Sequence, residues 1–196
     1  MGFVVGLAAH IMLRQLLILP RARRWVSRTI FRHMAKSRAV ADLRFDRLDS
    51  CCSAELLRFA RVVVVPRVPQ PPLEQWGVRD AGAFTAIEAA GITLREMIFV
   101  RADRVGDASL LFHELVHVVQ WRTLGPNRFL ALYGLLLLEH GYRGNPLEEM
   151  AYDLQARFDA GETLAIDAIV ARRTQELFAG FAKRSWPHRC VFAAIR

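Results

Sequence analysis

The pattern that most constrains this chain of 196 residues is a pair of histidines four positions apart, His113 and His117, with Glu114 between them. Four residues span slightly more than one turn of an α-helix, so the two imidazoles lie about 40° apart on one helix face. Two imidazoles in this arrangement can bind one tetrahedral metal ion from the same side. Glu114 projects about 100° round the helix from His113, which is beside such an ion rather than on it.

Apolar side chains make up most of the rest of this predicted helix, over residues 110–119. Its polar residues fall in one arc of about 120° and are His113, Glu114, His117 and Gln120. A narrow polar stripe on an apolar helix indicates a buried helix that faces a site, and burying these groups unpaired would be costly. The alternative, an exposed helix with His–Glu pairs, does not fit the apolar surroundings.

A third ligand is expected on a later helix, because a catalytic zinc ion usually has three protein ligands and one open position. Asn145-Pro146 predicts a helix start, with proline at the first helical position. If Leu147 marks the core face, Glu148 lies at the edge of that face and Glu149 points directly away from it. We therefore predict that Glu148 is the ligand and that Glu149 lies in solvent.

Other readings of this acidic segment stay open. Glu148 is the third helical residue after Asn145, where the carboxylate of a capping box is found. His140 and Asp153 are alternative ligands. His140 lies at a predicted helix end, and Asp153 projects off the core face.

The run His113-Glu-Leu-Val-His117-Val-Val-Gln120, followed by Asn-Pro-Leu-Glu148-Glu-Met-Ala151, resembles the gluzincin metallopeptidases. More closely, it resembles small bacterial zincin-like domains, over roughly residues 85–160. The resemblance implies an α+β, zincin-like fold with a small sheet, a buried active-site helix and a helical C-terminal half. It also implies Zn²⁺ held by His113, His117 and Glu148.

The chain departs from this family at one position. Many gluzincins have an aspartate four residues after the ligand glutamate, where it orients a ligand histidine. This chain has Tyr152 there and Asp153 one place later. The sequence therefore does not identify the residue that orients the ligand histidines, and such a residue affects metal affinity and activity. Our candidates for an oxyanion donor or a supporting group are Tyr142, His140, Tyr152 and Asp153.

The function implied by the resemblance is zinc-dependent hydrolysis of peptide bonds in a peptide or protein substrate. Glu114 would accept a proton from a zinc-activated water and pass it to the leaving amine. The strand predicted over 92–100 would form a sheet edge that pairs with extended substrate, and an ordinary internal strand is the alternative. Two other functions are a zinc-binding zincin fold without catalysis and a membrane-surface adaptor acting through residues 1–41.

The net charge of +8 comes from the N-terminal segment. Residues 1–41 have eight Lys or Arg residues and no Asp or Glu, which leaves residues 42–196 formally neutral. We therefore expect two units, a basic and partly apolar segment over 1–41 and a metallohydrolase domain over 42–196, and no nucleic-acid binding.

Three cysteines indicate a reducing compartment. We expect a cytoplasmic protein, with the first segment either associated with the inner face of the membrane or packed on the domain.

The remaining pattern predicts a short helix after residue 51, a strand over 61–65, a proline-rich extended segment over 66–76 and a helix over 80–90. Four helices follow the strand over 92–100. They are expected from residue 107 or 109 to 124, from 127 to 139, from 146 to about 161, and from 163 to about 182.

Overall fold

The computed structural model describes residues 2–76 and 89–184, and in them it is a mixed α+β structure. The α-helices are α1 (Gly2–His33), α2 (Asp46–Asp49), α3 (Ala54–Phe59), α4 (Ala108–His140), α5 (Pro146–Asp159) and α6 (Ile166–Arg184). The strands are β1 (Arg38–Ala39), β2 (Arg61–Val65), β3 (Gly91–Leu94) and β4 (Met97–Arg101). Short 3₁₀ turns cover Met34–Lys36, Val40–Leu43, Glu74–Trp76 and Ala102–Arg104. The expected α+β class is confirmed, whereas the predicted helix over 80–90 lies outside the described residues apart from its last two positions.

The four strands form one mixed sheet in the order β1-β2-β4-β3. β2 and β4 are parallel, and the two outer strands are each antiparallel to their neighbours. The prediction of one strand over 92–100 is wrong, because β3 and β4 are the two arms of a hairpin in which Leu94 pairs with Met97. The chain reverses at Arg95, which has a left-handed φ of 59°. That turn lacks the glycine, asparagine or proline that marks most hairpins in a sequence.

Alternate residues of the two central strands face opposite sides of the sheet. Val62, Ile98 and Val100 pack in one apolar core with the first half of α4 and with α5. Val63, Met97 and Phe99 pack in a second core with α1 and the later part of α4. The half of α4 that holds the two histidines and the inner face of α1 therefore lie on opposite faces of the sheet.

The helix α1 contributes core residues of its own. Leu19, Val26 and Ile30 are buried in the second core, and the ring of His33 lies edge-on to the ring of Phe99 at 5.2 Å. This packing is one of the two alternatives considered for residues 1–41. Among the described residues, no helix has an apolar stretch long enough to cross a membrane.

The later helices begin and end close to the predicted residues. The side chain of Asp107 caps α4 by accepting from the backbone N–H of Leu110 at 3.0 Å. The two helices predicted on either side of Gly125-Pro126 are one interrupted helix, in which Gly125 has non-helical φ and ψ of 73° and 164°. Asn145 caps α5, and Pro146 is its first residue.

The kink at Gly125 yields a stability prediction. A β-carbon at Gly125 would meet no atom within 4 Å, so Gly125→Ala isolates the cost of a backbone conformation that only glycine adopts readily. We expect this variant to lower the free energy of unfolding by about 1–3 kcal/mol in urea titrations. The control is Gly180→Ala, an equally open position inside α6, which should raise that free energy by up to about 1 kcal/mol. Equal effects of the two substitutions would contradict a strained kink.

Candidate metal centre

Three buried side chains from two packed helices converge on one point. α4 supplies His113 and His117, and the first turn of α5 supplies Glu148. The two Nε2 atoms are 3.1 Å apart, and Oε2 of Glu148 lies 3.6 Å from Nε2 of His113 and 3.4 Å from Nε2 of His117. The three ligand atoms lie within 4.8 Å of one another, and this is the one such group in the described part of the chain. The group could hold a metal ion.

Glu148 gives the clearest test of whether a cation fits. Its Oε1 accepts a hydrogen bond of 2.7 Å from the hydroxyl of Tyr133. Its Oε2 is buried and has no hydrogen-bond partner. A carboxylate oxygen that is out of water and unpaired needs a positive partner. Among the described residues, the groups that face it at close range are the two imidazole nitrogens, so the donor set suits a cation bound between all three residues.

The capping-box alternative for Glu148 does not describe the structure. The carboxylate of a capping box accepts from the backbone N–H of the N-cap residue, but the N–H of Asn145 donates to the carbonyl of Tyr142 at 3.2 Å. Asn145 caps α5 on its own, by accepting from the N–H of Leu147 at 3.0 Å. Glu148 is therefore free to face the histidines.

A hydrogen-bonded partner fixes the ring of His117. Nδ1 of His117 lies 2.9 Å from Oε1 of Gln120, and the amide nitrogen of Gln120 donates to the carbonyl of Leu147 at 3.0 Å. The amide group must donate to that carbonyl, so its oxygen faces the ring and Nδ1 carries the proton. Nε2 therefore turns its lone pair toward Glu148 and His113, as a metal ligand requires.

A longer chain of hydrogen bonds does the same for His113. Nδ1 of His113 lies 3.0 Å from Oε1 of Gln155, and the Gln155 amide donates to Oγ of Ser109 at 2.8 Å. Ser109 in turn donates to the carboxylate of Asp159 at 2.9 Å. Because the serine hydroxyl has one proton and gives it to Asp159, the direction of the whole chain is set. His113 is thereby held as the tautomer with a free Nε2.

Electrostatics at the centre also favour a cation. Burial would lower the pKa of His117, but Glu148, Glu114 and the hydrogen bond to Gln120 together outweigh burial and raise that pKa to about 9. Burial would likewise raise the pKa of Glu148, yet His117 and the surrounding hydrogen bonds hold it well below its usual range. The arrangement that favours a proton on Nε2 of His117 also favours a metal cation there, and the two compete for one lone pair.

Glu114 lies beside the three ligand atoms and is held by β3, the outer strand on that side of the described sheet. The hydroxyl of Thr93 donates to Oε2 of Glu114 at 2.7 Å. Gly91 lies over the other oxygen, and a β-carbon there would be only 2.6 Å from Oε1. Burial raises the pKa of Glu114, although both histidines act against the shift. Glu114 is therefore a buried carboxylate next to the metal-binding group but outside it, as the helical projection predicted.

The structure brings two of the four other candidates to the centre. The ring of Tyr152 lies 4.6 Å from the ring of His113. Burial, followed by the nearby Glu148, raises the pKa of Tyr142. His140 is exposed and pairs with Glu139 at 3.6 Å, while Asp153 pairs with Arg173 at 2.8 Å. Neither of these last two contributes to the metal-binding group.

Four residues around the centre have no place in the sequence prediction, namely Gly91, Thr93, Tyr133 and Gln155. Gln155 could have been predicted from helix periodicity, because it lies seven residues, or about two turns, after Glu148 and therefore on the same face of α5. The other three depend on how β3 and the later part of α4 approach the site.

Comparisons of the chain with protein-family models, with curated proteins and with solved structures give no match.

The adjacent glutamates of α5 provide a matched test of the metal centre. Glu148→Gln removes the ligand charge, whereas Glu149→Gln makes the same change at an exposed neighbour. We expect zinc titrations to find one ion per wild-type chain and per Glu149→Gln chain. Loss of a residue that only supports a ligand typically weakens metal binding by about 10- to 100-fold. Glu148→Gln removes a ligand itself, so we expect a larger loss of zinc affinity. Equal zinc binding by the two variants would rule out Glu148 as a ligand.

Gln155 gives a second prediction, for a residue that would not touch the metal ion. Gln155→Ala removes the acceptor that orients His113 and should weaken zinc binding by about 10- to 100-fold. Competition with a chromogenic chelator measures the change. Gln175→Ala, at an exposed position of α6, is the control and should leave the affinity unaltered. If both variants bind zinc like the wild type, the hydrogen-bond chain does not support the site.

Proposed function

We propose that the protein is a zinc-dependent metallopeptidase that hydrolyses peptide bonds. The observation that carries the proposal is the unpaired, buried Oε2 of Glu148, which faces the Nε2 atoms of His113 and His117 while Glu114 lies alongside. This is a metal-binding group together with a separate carboxylate base. The same combination underlies the resemblance to the gluzincins.

The choice of zinc rests on the chemistry of the donors. Two imidazole nitrogens and one carboxylate oxygen form a ligand set common in catalytic zinc sites. Calcium and magnesium prefer sites made of oxygen ligands. When bound, zinc would act as a Lewis acid and lower the pKa of a water molecule toward neutrality.

Three protein ligands favour catalysis over a purely structural role. A structural zinc site is closed by four protein ligands, whereas a catalytic one keeps a position open. The metal-binding group in the described residues has three members. A zinc-binding protein without catalysis would also have no need for Glu114, whose burial without a nearby cation is unfavourable.

Glu114 is proposed as the general base. Thr93 holds Oε2 by a hydrogen bond, which fixes the carboxylate and leaves Oε1 to accept a proton. The raised pKa of Glu114, caused by burial, brings it nearer to the operating pH, where a base both accepts and returns a proton efficiently. The returned proton would go to the leaving amine.

Tyr142 and Tyr152 are the proposed donors to the oxyanion. Burial and the nearby Glu148 raise the pKa of Tyr142, so this hydroxyl keeps its proton at neutral pH. Tyr152 is about half exposed while its ring contacts His113, so it lies between solvent and the metal centre. A neutral hydroxyl in this position can donate to negative charge as it develops.

The proposed substrate is an extended peptide that pairs with β3. This strand is the outer one of the described sheet on that side, and it carries the Thr93 that bonds Glu114. A peptide added to this edge by backbone hydrogen bonds would pass beside the general base. β4, which directly precedes the motif helix in sequence, is an internal strand and is not available for pairing.

Glu114→Gln separates catalysis from metal binding. The amide keeps the size and the contact with Thr93 but cannot accept the proton, so we expect peptide hydrolysis to fall by at least about 100-fold. Zinc content, measured on the same preparation, should stay at one ion per chain. The assay follows cleavage of a peptide library by mass spectrometry, with Glu149→Gln as the control.

Full cleavage by Glu114→Gln of a substrate that the wild type cleaves would contradict the mechanism. Stoichiometric zinc in a wild-type protein that cleaves no member of the library would instead favour the non-catalytic zinc-binding alternative.

A further inference from the structure

The outward side of α1 has an unusual set of exposed residues. Its buried residues, such as Val26 and Ile30, face the sheet. On the opposite side, five exposed residues fall in an arc of about 100° when projected round the helix. We name them the cationic face, and they are Arg21, Arg24, Arg28, Phe31 and Arg32.

The four arginines of the cationic face lie in a part of the chain that has no acidic residue. None of them forms an ion pair with a residue that the structure describes. Some arginines on other elements do pair with nearby carboxylates, as in Arg157–Glu162 and Arg172–Glu176. Residues 1–41 contain no acidic residue, while the rest of the chain is formally neutral. The net positive charge therefore lies in the segment that contains the cationic face, where it is available to an anionic partner.

Phe31 narrows the kind of partner. Its side chain is 83% exposed, the highest value among the large hydrophobic residues that the structure describes, and Arg28 and Arg24 lie about one and two turns before it on the helix. Met34, just beyond the helix, is also exposed. A phenylalanine ring among arginines matches a surface with both apolar material and negative charge. The interface of an anionic bilayer has both.

We propose that α1 docks the protein on the surface of an anionic phospholipid bilayer. The arginines of the cationic face lie against the phosphate headgroups, and the ring of Phe31 inserts between them at the boundary with the acyl chains. Nucleic acid would match the arginines but offers less to an exposed Phe31 and Met34. The proposal is independent of the metal centre.

The fold gives this docking a consequence for the site. The inner face of α1 packs on the side of the sheet formed by Val63 and Phe99. The half of α4 with the two histidines packs on the other side, through Leu111 and Leu115. Contact of the outer face of α1 with a membrane therefore leaves the metal centre on the side of the sheet away from the bilayer.

Point substitutions test the proposal better than truncation. Deleting residues 1–41 would remove buried core residues of α1, among them Leu19, Val26 and Ile30, and the strand β1. The full-length protein is instead sedimented with vesicles of phosphatidylcholine, with or without phosphatidylglycerol. We expect binding only to the vesicles with phosphatidylglycerol, and weaker binding as salt increases.

The charge contribution is measured with Arg24→Gln/Arg28→Gln, which should weaken binding about thirtyfold. Its control is Arg172→Gln/Lys183→Gln, which removes two exposed charges from α6 and should leave binding within about twofold of wild type. Phe31→Ala tests the apolar contribution and should weaken binding about tenfold. Thermal unfolding of each variant should match the wild type, because these side chains are exposed.

Three results would overturn the proposal. The first is equal binding to vesicles with and without phosphatidylglycerol, including no binding to either. The second is an equal loss of binding in the α1 variant and its α6 control. The third is that a DNA duplex binds the protein at least as tightly as the anionic vesicles do, and that Phe31→Ala weakens neither the binding to DNA nor the binding to vesicles. That last result would assign the cationic face to nucleic acid.

Discussion

A carboxylate buried between two imidazoles is the interaction on which the rest of the site depends. Glu148 is 3% exposed, and a charge in such a place is tolerated only when it is paired and hydrogen-bonded. Tyr133 donates a hydrogen bond to Oε1 of Glu148, while Oε2 faces His113 and His117. The outer nitrogens of both rings already have partners. The lone pairs of the two Nε2 atoms and of Oε2 of Glu148 are therefore free to bind a cation. The packing of α5 on α4 brings these three atoms together.

Local sequence signals account for much of this placement. Asn145 and Pro146 begin α5 so that Glu148 falls in its first turn, and the spacing of the histidines sets them on one face of α4. These features rest on helix periodicity and capping, which operate within a few residues. For that reason the α+β class, the bounds of the later helices and the three members of the metal-binding group could be predicted from the sequence.

The parts that were missed depend on contacts between distant segments. Thr93 reaches Glu114 across 21 residues of sequence, because β3 folds back as the outer arm of a hairpin. The turn at Arg95 and Glu96 interrupts an apolar run without any typical turn residue, so the run reads as one strand. Tyr133 meets Glu148 only because α4 continues past the kink at Gly125. No local period or cap encodes those approaches.

Where the gluzincins that the sequence resembles often have an aspartate, this chain has Tyr152, and α5 supplies a different partner for His113. The ring of Tyr152 packs on His113, and the hydrogen bond that an aspartate supplies in that family comes from Gln155, nearly one turn later. A neutral amide makes an imidazole less basic than a carboxylate would. The carboxylate of Asp159 is present, but it acts through Ser109 and Gln155. Such an arrangement orients His113 firmly while adding little negative charge to it, so the negative charge among the three ligand atoms comes chiefly from Glu148.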